Sequence, residues 1–185
     1  MFVPLSGGEL ADNSSRLVAD TARRKEIGTL GQRIEPVDWN SYLYASQRAM
    51  ARMATEIGDA AAARTMTARA EARLGPLRRL WNMRTGVFTD RLLPQRTLSS
   101  KRFAESLIPL LAGFPTKKQA GTMEKFLFDP KQLWSAFPVP TLPLSDPGFN
   151  TSDTYASYWN GRVWPPINWC IIEGLCRAGL RTAAR

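Results

Sequence analysis

Tyr158-Trp159-Asn160-Gly161-Arg162-Val163-Trp164-Pro165-Pro166-Ile167-Asn168-Trp169 reads as an aromatic loop running into a helix. Four aromatic rings, two prolines and one glycine share these twelve residues. Prolines break a helix interior but suit its first turn, where the missing N–H has no intrahelical partner anyway. The spacing therefore predicts a helix from about Pro165 to Ala178, stopped at Gly179. The apolar run Cys170-Ile171-Ile172 and then Glu173-Gly174-Leu175 make it a buried one.

Flat rings on a rigid loop at a helix mouth can wall a sugar site. A pyranose offers an apolar C–H face for stacking and a rim of hydroxyls for hydrogen bonding.

Working outward, the rest of the chain also reads as helices. Residues 1–37 are rich in Gly, Ser and Arg and read mostly as loop. Asp38 is the expected N-cap of a helix to about Ile57. Gly58-Asp59 closes that helix and caps the next, which is expected from Ala60 to about Asn82, with a kink at Gly75-Pro76. Arg84-Thr85-Gly86 reads as a turn and Val87-Phe88-Thr89 as a short strand. Ser99 or Ser100 is the expected cap of a helix through Ala112, and Thr116 of another through Phe128. Residues 129–157 carry five prolines and form a long loop, of the kind that is usually functional. The fold class is all-α, built of helical hairpins with long irregular loops. Trp81 and Phe88 are expected in its core.

The chain has 185 residues, a length that suits one domain. No apolar run is long enough for a membrane span. The N-terminus has neither a basic segment nor a long enough apolar stretch for a signal peptide, which favours a cytoplasmic protein. Twenty-five Lys and Arg stand against 16 Asp and Glu. The arginines, Arg48, Arg52, Arg64 and Arg69 among them, are scattered along helices without an RNA-binding motif, so they read as a solvated exterior rather than a nucleic-acid surface. Histidine is absent, which removes imidazole bases and most zinc sites. No metal and no cofactor are expected. Cys170 and Cys176 lie six apart on one helix, on different faces, and are expected as unpaired buried thiols. Carboxylates must carry any chemistry.

Five segments, in order, resemble glycoside hydrolase family 63 and its mannosylglycerate-hydrolase-like relatives, with the trehalases more distant. They are Asp12-Asn13-Ser14-Ser15-Arg16, Val37-Asp38-Trp39-Asn40-Ser41-Tyr42-Leu43-Tyr44, Leu80-Trp81-Asn82-Met83-Arg84-Thr85-Gly86-Val87-Phe88-Thr89-Asp90, Ile108-Pro109-Leu110-Leu111-Ala112-Gly113 and the aromatic loop with Glu173-Gly174-Leu175. The resemblance implies an (α/α)6 toroid and hydrolysis of an α-linked glucoside or mannoside with inversion. A full toroid has twelve helices, at least about 250 residues at ordinary lengths. Residues 1–185 are therefore expected to form part of one such catalytic domain, with no second domain.

Inverting hydrolysis uses two carboxyl groups, one protonating the leaving oxygen and one activating water. The resemblance puts the acid at Asp12. It puts the base on a loop beyond Arg185, so the chain alone is expected to be inactive. Glu173, mid-helix, reads as structural. Arg33, Trp39, Tyr158, Trp159 and Trp164 are the expected substrate-binding residues, for a small carbohydrate. A trehalase is the runner-up, although Asn160-Gly161-Arg162-Val163-Trp164-Pro165-Pro166 departs from the trehalase pattern Pro-Asn-Gly-Trp-Ala-Pro. A non-catalytic sugar-binding or interaction remnant is a further alternative. An incomplete toroid would also leave helix faces open to self-association.

Overall fold

Pro36 sets where the helix from Val37 begins. The computed structural model describes residues 34–93, 95–152 and 159–180. In it a two-residue strand, β1 (Ile34–Glu35), leads through an extended Pro36 into α1 (Val37–Glu56). Asp38 is therefore not the N-cap. It lies in the first turn, where a carboxylate complements the positive end of the helix. Pro36 has no side chain to cap with, and the first N–H is satisfied from far away: Val37 N donates to Asp90 Oδ1 at 2.7 Å.

Gly58, at φ +80°, ends the α1 segment, and Asp59 caps α2 (Ala60–Arg78) by accepting from Ala62 N at 2.9 Å. α2 stops four residues short of the expected Asn82. Pro76 lies within its last turn, and the chain then turns into a hairpin of β2 (Trp81–Asn82) and β3 (Val87–Phe88). Asn82 builds the hairpin turn: its Oδ1 accepts from Arg84 N at 3.0 Å, and its backbone carbonyl accepts from Gly86 N at 2.9 Å. Gly86 sits at φ +73°, a conformation glycine adopts without strain.

Two further strands, β4 (Arg91–Leu92) and β5 (Thr97–Leu98), join β1 in a small antiparallel sheet of order β1-β4-β5. Glu35 and Arg91 are cross-strand partners, and their side chains form a buried ion pair at 2.9 Å.

The helix expected from Ser99 is not formed. Ser99 N donates to Asp90 O, Ala104 N donates to Thr141 O, and these bonds hold the segment extended. A 3-10 turn (Ala104–Leu107) follows, then the short α3 (Ile108–Ala112), with Pro109 in its first turn. α4 (Lys117–Leu127) starts as expected, with Thr116 and Gln119 bonding each other's backbone N–H in a capping box. α5 (Pro165–Arg177) also starts where the two prolines predict, and Gly179 follows it at φ +79°.

α3 packs between α1 and α5, and α2 lies along α1. The α3–α5 contact depends on Gly174. A Cβ there would lie 2.7 Å from Leu111 N and 2.8 Å from Leu110 Cβ. Phe88 is fully buried, edge-on to Phe114 at 5.2 Å and to Trp81 at 5.0 Å. Trp81 is only partly buried, at the margin of this core. Cys170 is buried and Cys176 half-buried, both unpaired. Among the described residues no helix is long and apolar enough to cross a membrane.

Candidate functional site

The aromatic loop is held by the long proline-rich segment before it, and Thr141 is the hub. Its N–H donates to Arg162 O at 3.1 Å and its hydroxyl to Trp159 O at 2.6 Å. The same hydroxyl accepts from Gly161 N at 2.9 Å. Asn150 N donates to Asn160 O at 2.6 Å, and Pro140 bridges Val163. Asn168, one turn into α5, uses both ends of its amide: Oδ1 accepts from Val139 N at 3.3 Å and Nδ2 donates to Pro138 O at 3.0 Å. The motif asparagine thus clips the proline-rich segment to the helix. Gly161 sits at φ +138°, and a Cβ there would lie 2.8 Å from the Phe149 ring. No side chain fits.

On this scaffold the indoles of Trp159 and Trp164 stack face to face, with centroids 4.2 Å apart and planes 11° from parallel. Both are half-buried. Each ring covers one face of the other, and the pair is a stiff apolar plate at the mouth of α5.

Of the other expected site residues, Trp39 is 48% exposed on the first turn of α1 and makes no ring contact with this pair among the described residues. Asp12, Arg33 and Tyr158 lie outside the described residues. Glu173 pairs with Arg177 one turn on, at 3.0 Å, on the partly exposed side of α5.

One further group emerges only from the packing. Glu105, in the 3-10 turn, is buried, and burial pushes its carboxyl up to about 7. A hydrogen bond from its own backbone opposes the rise, and the nearby Asp90 charge adds to it. Glu105 lines a cavity of about 10 Å³ with Asp38, Thr89 and Asp90 under the first turn of α1, room for one water. Glu105 Oε2 and Thr89 Oγ1 have no partner among the described residues. The Tyr42 hydroxyl is raised as well, first by burial and then by its 3.5 Å hydrogen bond to Cys170 Sγ. The sequence signal for Glu105 is weak: one acid shortly before the apolar Leu107-Ile108-Pro109-Leu110 run.

Residues 8–185 match the mannosylglycerate hydrolase MGH1-like glycoside hydrolase domain. A periplasmic trehalase from Xanthomonas oryzae pv. oryzae is 31% identical over 179 residues, 94% of this chain and 28% of that protein. A periplasmic trehalase from Escherichia coli O1:K1 is 28% identical over 176 residues, again 94% of this chain and 29% of the relative. Among solved structures, the GH63 mannosylglycerate hydrolase from Thermus thermophilus in complex with glucose superposes with a TM-score of 0.74 at 20% identity, covering 91% of this chain and 41% of that one. The neutral trehalase from Saccharomyces cerevisiae gives a TM-score of 0.66 at 22% identity, over 83% and 30%. These likenesses identify the fold as part of an (α/α)6 toroid. The chain spans less than a third of the curated relatives it matches. Because those relatives are named periplasmic, they also overturn the expectation of a cytoplasmic location, which rested only on the first residues of the sequence.

Proposed function

Since the chain belongs to the mannosylglycerate hydrolase MGH1-like glycoside hydrolase domain family, we propose that it supplies part of the active site of a glycosidase acting on an α-linked glucoside or mannoside. The observation that carries this reading is the Trp159–Trp164 stack, two nearly parallel rings 4.2 Å apart on a loop that Thr141 holds at Trp159 and Arg162. An outer ring face suits the C–H face of a pyranose, and a fixed plate loses little freedom on binding. Trp39, Arg33 and Tyr158 complete the proposed sugar contacts, with Arg33 bonding ring hydroxyls or a carboxylate on the aglycone.

In the proposed reaction Asp12 donates its proton to the glycosidic oxygen as the bond to the anomeric carbon breaks. Water attacks that carbon from the opposite face and gives its proton to a second carboxylate. No base is assigned among the described residues: Glu173 is held by Arg177 and Glu105 lines a one-water cavity. No cofactor enters these steps.

A second reading takes trehalose as the substrate, in the periplasm. It is favoured by the names of the curated relatives, which reach 31% identity. Against it stands the loop sequence from Asn160 to Pro166, which keeps the Trp-x-Pro of the trehalase pattern but not its Pro-Asn-Gly.

Titration of the purified chain with mannosylglycerate and with trehalose, followed by tryptophan fluorescence, tests both readings. Saturable binding of one sugar, lost in Trp159→Ala, supports the site and selects the substrate. If neither sugar changes the emission, the aromatic plate is not a sugar platform. We further expect no turnover from the chain alone, because it spans 28% of the matched trehalase. Hydrolysis by the purified 185 residues would place both carboxylates within them.

The proposal extends to association. Met50 and Met53 are exposed near the end of α1, and Ile57 on its C-cap. At about 100° per residue they fall within an arc of about 60°, an apolar seam over the last two turns. Self-association of the isolated chain through that seam would show as concentration-dependent mass in light scattering, abolished by Met53→Glu; a monomer at all concentrations rejects it.

A further inference from the structure

We propose that Arg48, Arg52 and Arg177 form a site for a phosphate dianion, free or as a monoester, remote from the aromatic loop. The three guanidinium side chains line one cavity of about 290 Å³, floored by Leu111, Ala112 and Gly113 at the end of α3. Among the described residues no acid lines it. Arg177 is held in place: Nε bonds Glu173 at 3.0 Å and Nη1 donates to Leu111 O at 2.9 Å. Arg48 has a long hydrogen bond to Tyr44 Oη at 3.4 Å, and Arg52 has no partner among the described residues.

Arg48 and Arg52 stand four apart on α1, where like charges repel. A shared dianion relieves that repulsion, and the planar guanidinium matches phosphate oxygens two at a time. A second cavity of about 430 Å³, between α1 and α2, shares Arg48 and Arg52 and is also lined by Thr55, Thr67 and Glu71. Its hydroxyls and carboxylate suit the hydroxylated body of an ester, not a second anion.

The site is independent of the proposed sugar plate. Arg177 lies twelve residues beyond Pro165 on α5, about 18 Å along the axis. Arg48 and Arg52 lie roughly 180–220° around α1 from Trp39, on the opposite side from its exposed apolar residues.

The test is calorimetric titration of the full 185-residue chain with inorganic phosphate, and separately with glucose 6-phosphate, at fixed low ionic strength. The proposal expects saturable one-site binding, competed by sulfate but not by chloride. Arg48→Ala and Arg52→Ala should each weaken it roughly tenfold, while Arg64→Ala, a residue of α2 outside both cavities, leaves it unchanged. Tighter binding of the ester than of inorganic phosphate assigns its body to the neighbouring cavity. Failure of both ligands to saturate overturns the proposal. So does equal weakening by Arg64→Ala, which marks diffuse surface charge instead of a site. Melting curves confirm that each variant is folded before its titration is read.

Discussion

Asp90 Oδ1 accepts the Val37 N–H at 2.7 Å, so α1 is capped by a residue 53 positions downstream. The bond ties the start of α1 to the strand β4 that follows Asp90, and through β4 to β1. The cap is a tertiary contact, formed only once the hairpin and the sheet are in place.

Asp90→Ala should therefore destabilise the chain by about 1–3 kcal/mol, the range for losing a buried, charge-assisted hydrogen bond. Asp59→Ala, which removes the exposed local cap of α2, is expected to cost less, about 0.5–1 kcal/mol. Urea unfolding of the two variants gives the comparison. Equal losses would mean that the distant cap contributes no more than the local cap.

Two glycine substitutions should act in opposite directions. Gly174→Ala forces a methyl to 2.7 Å from the Leu111 backbone nitrogen. Neither α3 nor α5 can yield there without separating, so a loss of about 1–3 kcal/mol or more is expected. Gly121→Ala, in α4, meets nothing within 4 Å and should stabilise by about 0.4–1 kcal/mol through helix propensity and the unfolded chain. Denaturant midpoints settle both. A Gly174→Ala midpoint matching the parent would remove the close α3–α5 approach from the account of the fold.

What can be read from the sequence divides along the same line between local and distant partners. The Thr116–Gln119 capping box and the start of α5 at Pro165 are encoded within a few neighbouring residues, and both are legible there. Asp38 carries the local signature of a cap, but the pre-organised Pro36 and the carboxylate of Asp90 take that place. Ser99 likewise looks like a helix start, yet its N–H is committed to Asp90 O. Two-residue strands such as β4 have no alternation to detect. The aromatic plate is visible as composition, because few twelve-residue stretches hold three tryptophans. The roles of Gly161 and Asn168 are not, since they depend on Phe149 and Val139 in another segment. Glu105 escapes a sequence reading because only the packed structure reveals its burial.

Glu105 makes stability depend on pH with a definite sign. Its folded value, about 7, lies above the ordinary 4.5, so the folded state holds the proton more tightly than the unfolded chain does. Its contribution is fully present below about pH 4.5 and is lost as the pH rises toward 7, a change of about 3 kcal/mol at most. Glu105→Gln keeps a neutral, polar group in the cavity and should remove that slope. The measurement is the difference in unfolding free energy between parent and variant from about pH 4.5 to about pH 7.5. A difference that does not vary with pH shows that the carboxyl ionises as freely in the fold as outside it.

The aromatic plate yields the last prediction. If Trp159 and Trp164 form a sugar platform, Trp159→Ala and Trp164→Ala should weaken sugar binding by about 1–3 kcal/mol, roughly tenfold to a hundredfold. Each also removes its neighbour's stacking partner, worth about 0.5–1.5 kcal/mol beyond area burial, so a modest fall in stability accompanies the loss of affinity. The backbone of the loop should survive, because Thr141 holds it through the backbone atoms of Trp159, Gly161 and Arg162. Trp81→Ala is the control. Its ring packs edge-on against the buried Phe88, so it should lower stability by about 2–4 kcal/mol and leave sugar affinity unchanged. Melts and sugar titrations on all three variants separate the two patterns. If Trp159→Ala and Trp164→Ala lower the melting temperature as much as Trp81→Ala while sugar affinity stays that of the parent, the stacked pair is a structural wedge between the loop and α5, and the sugar is held elsewhere.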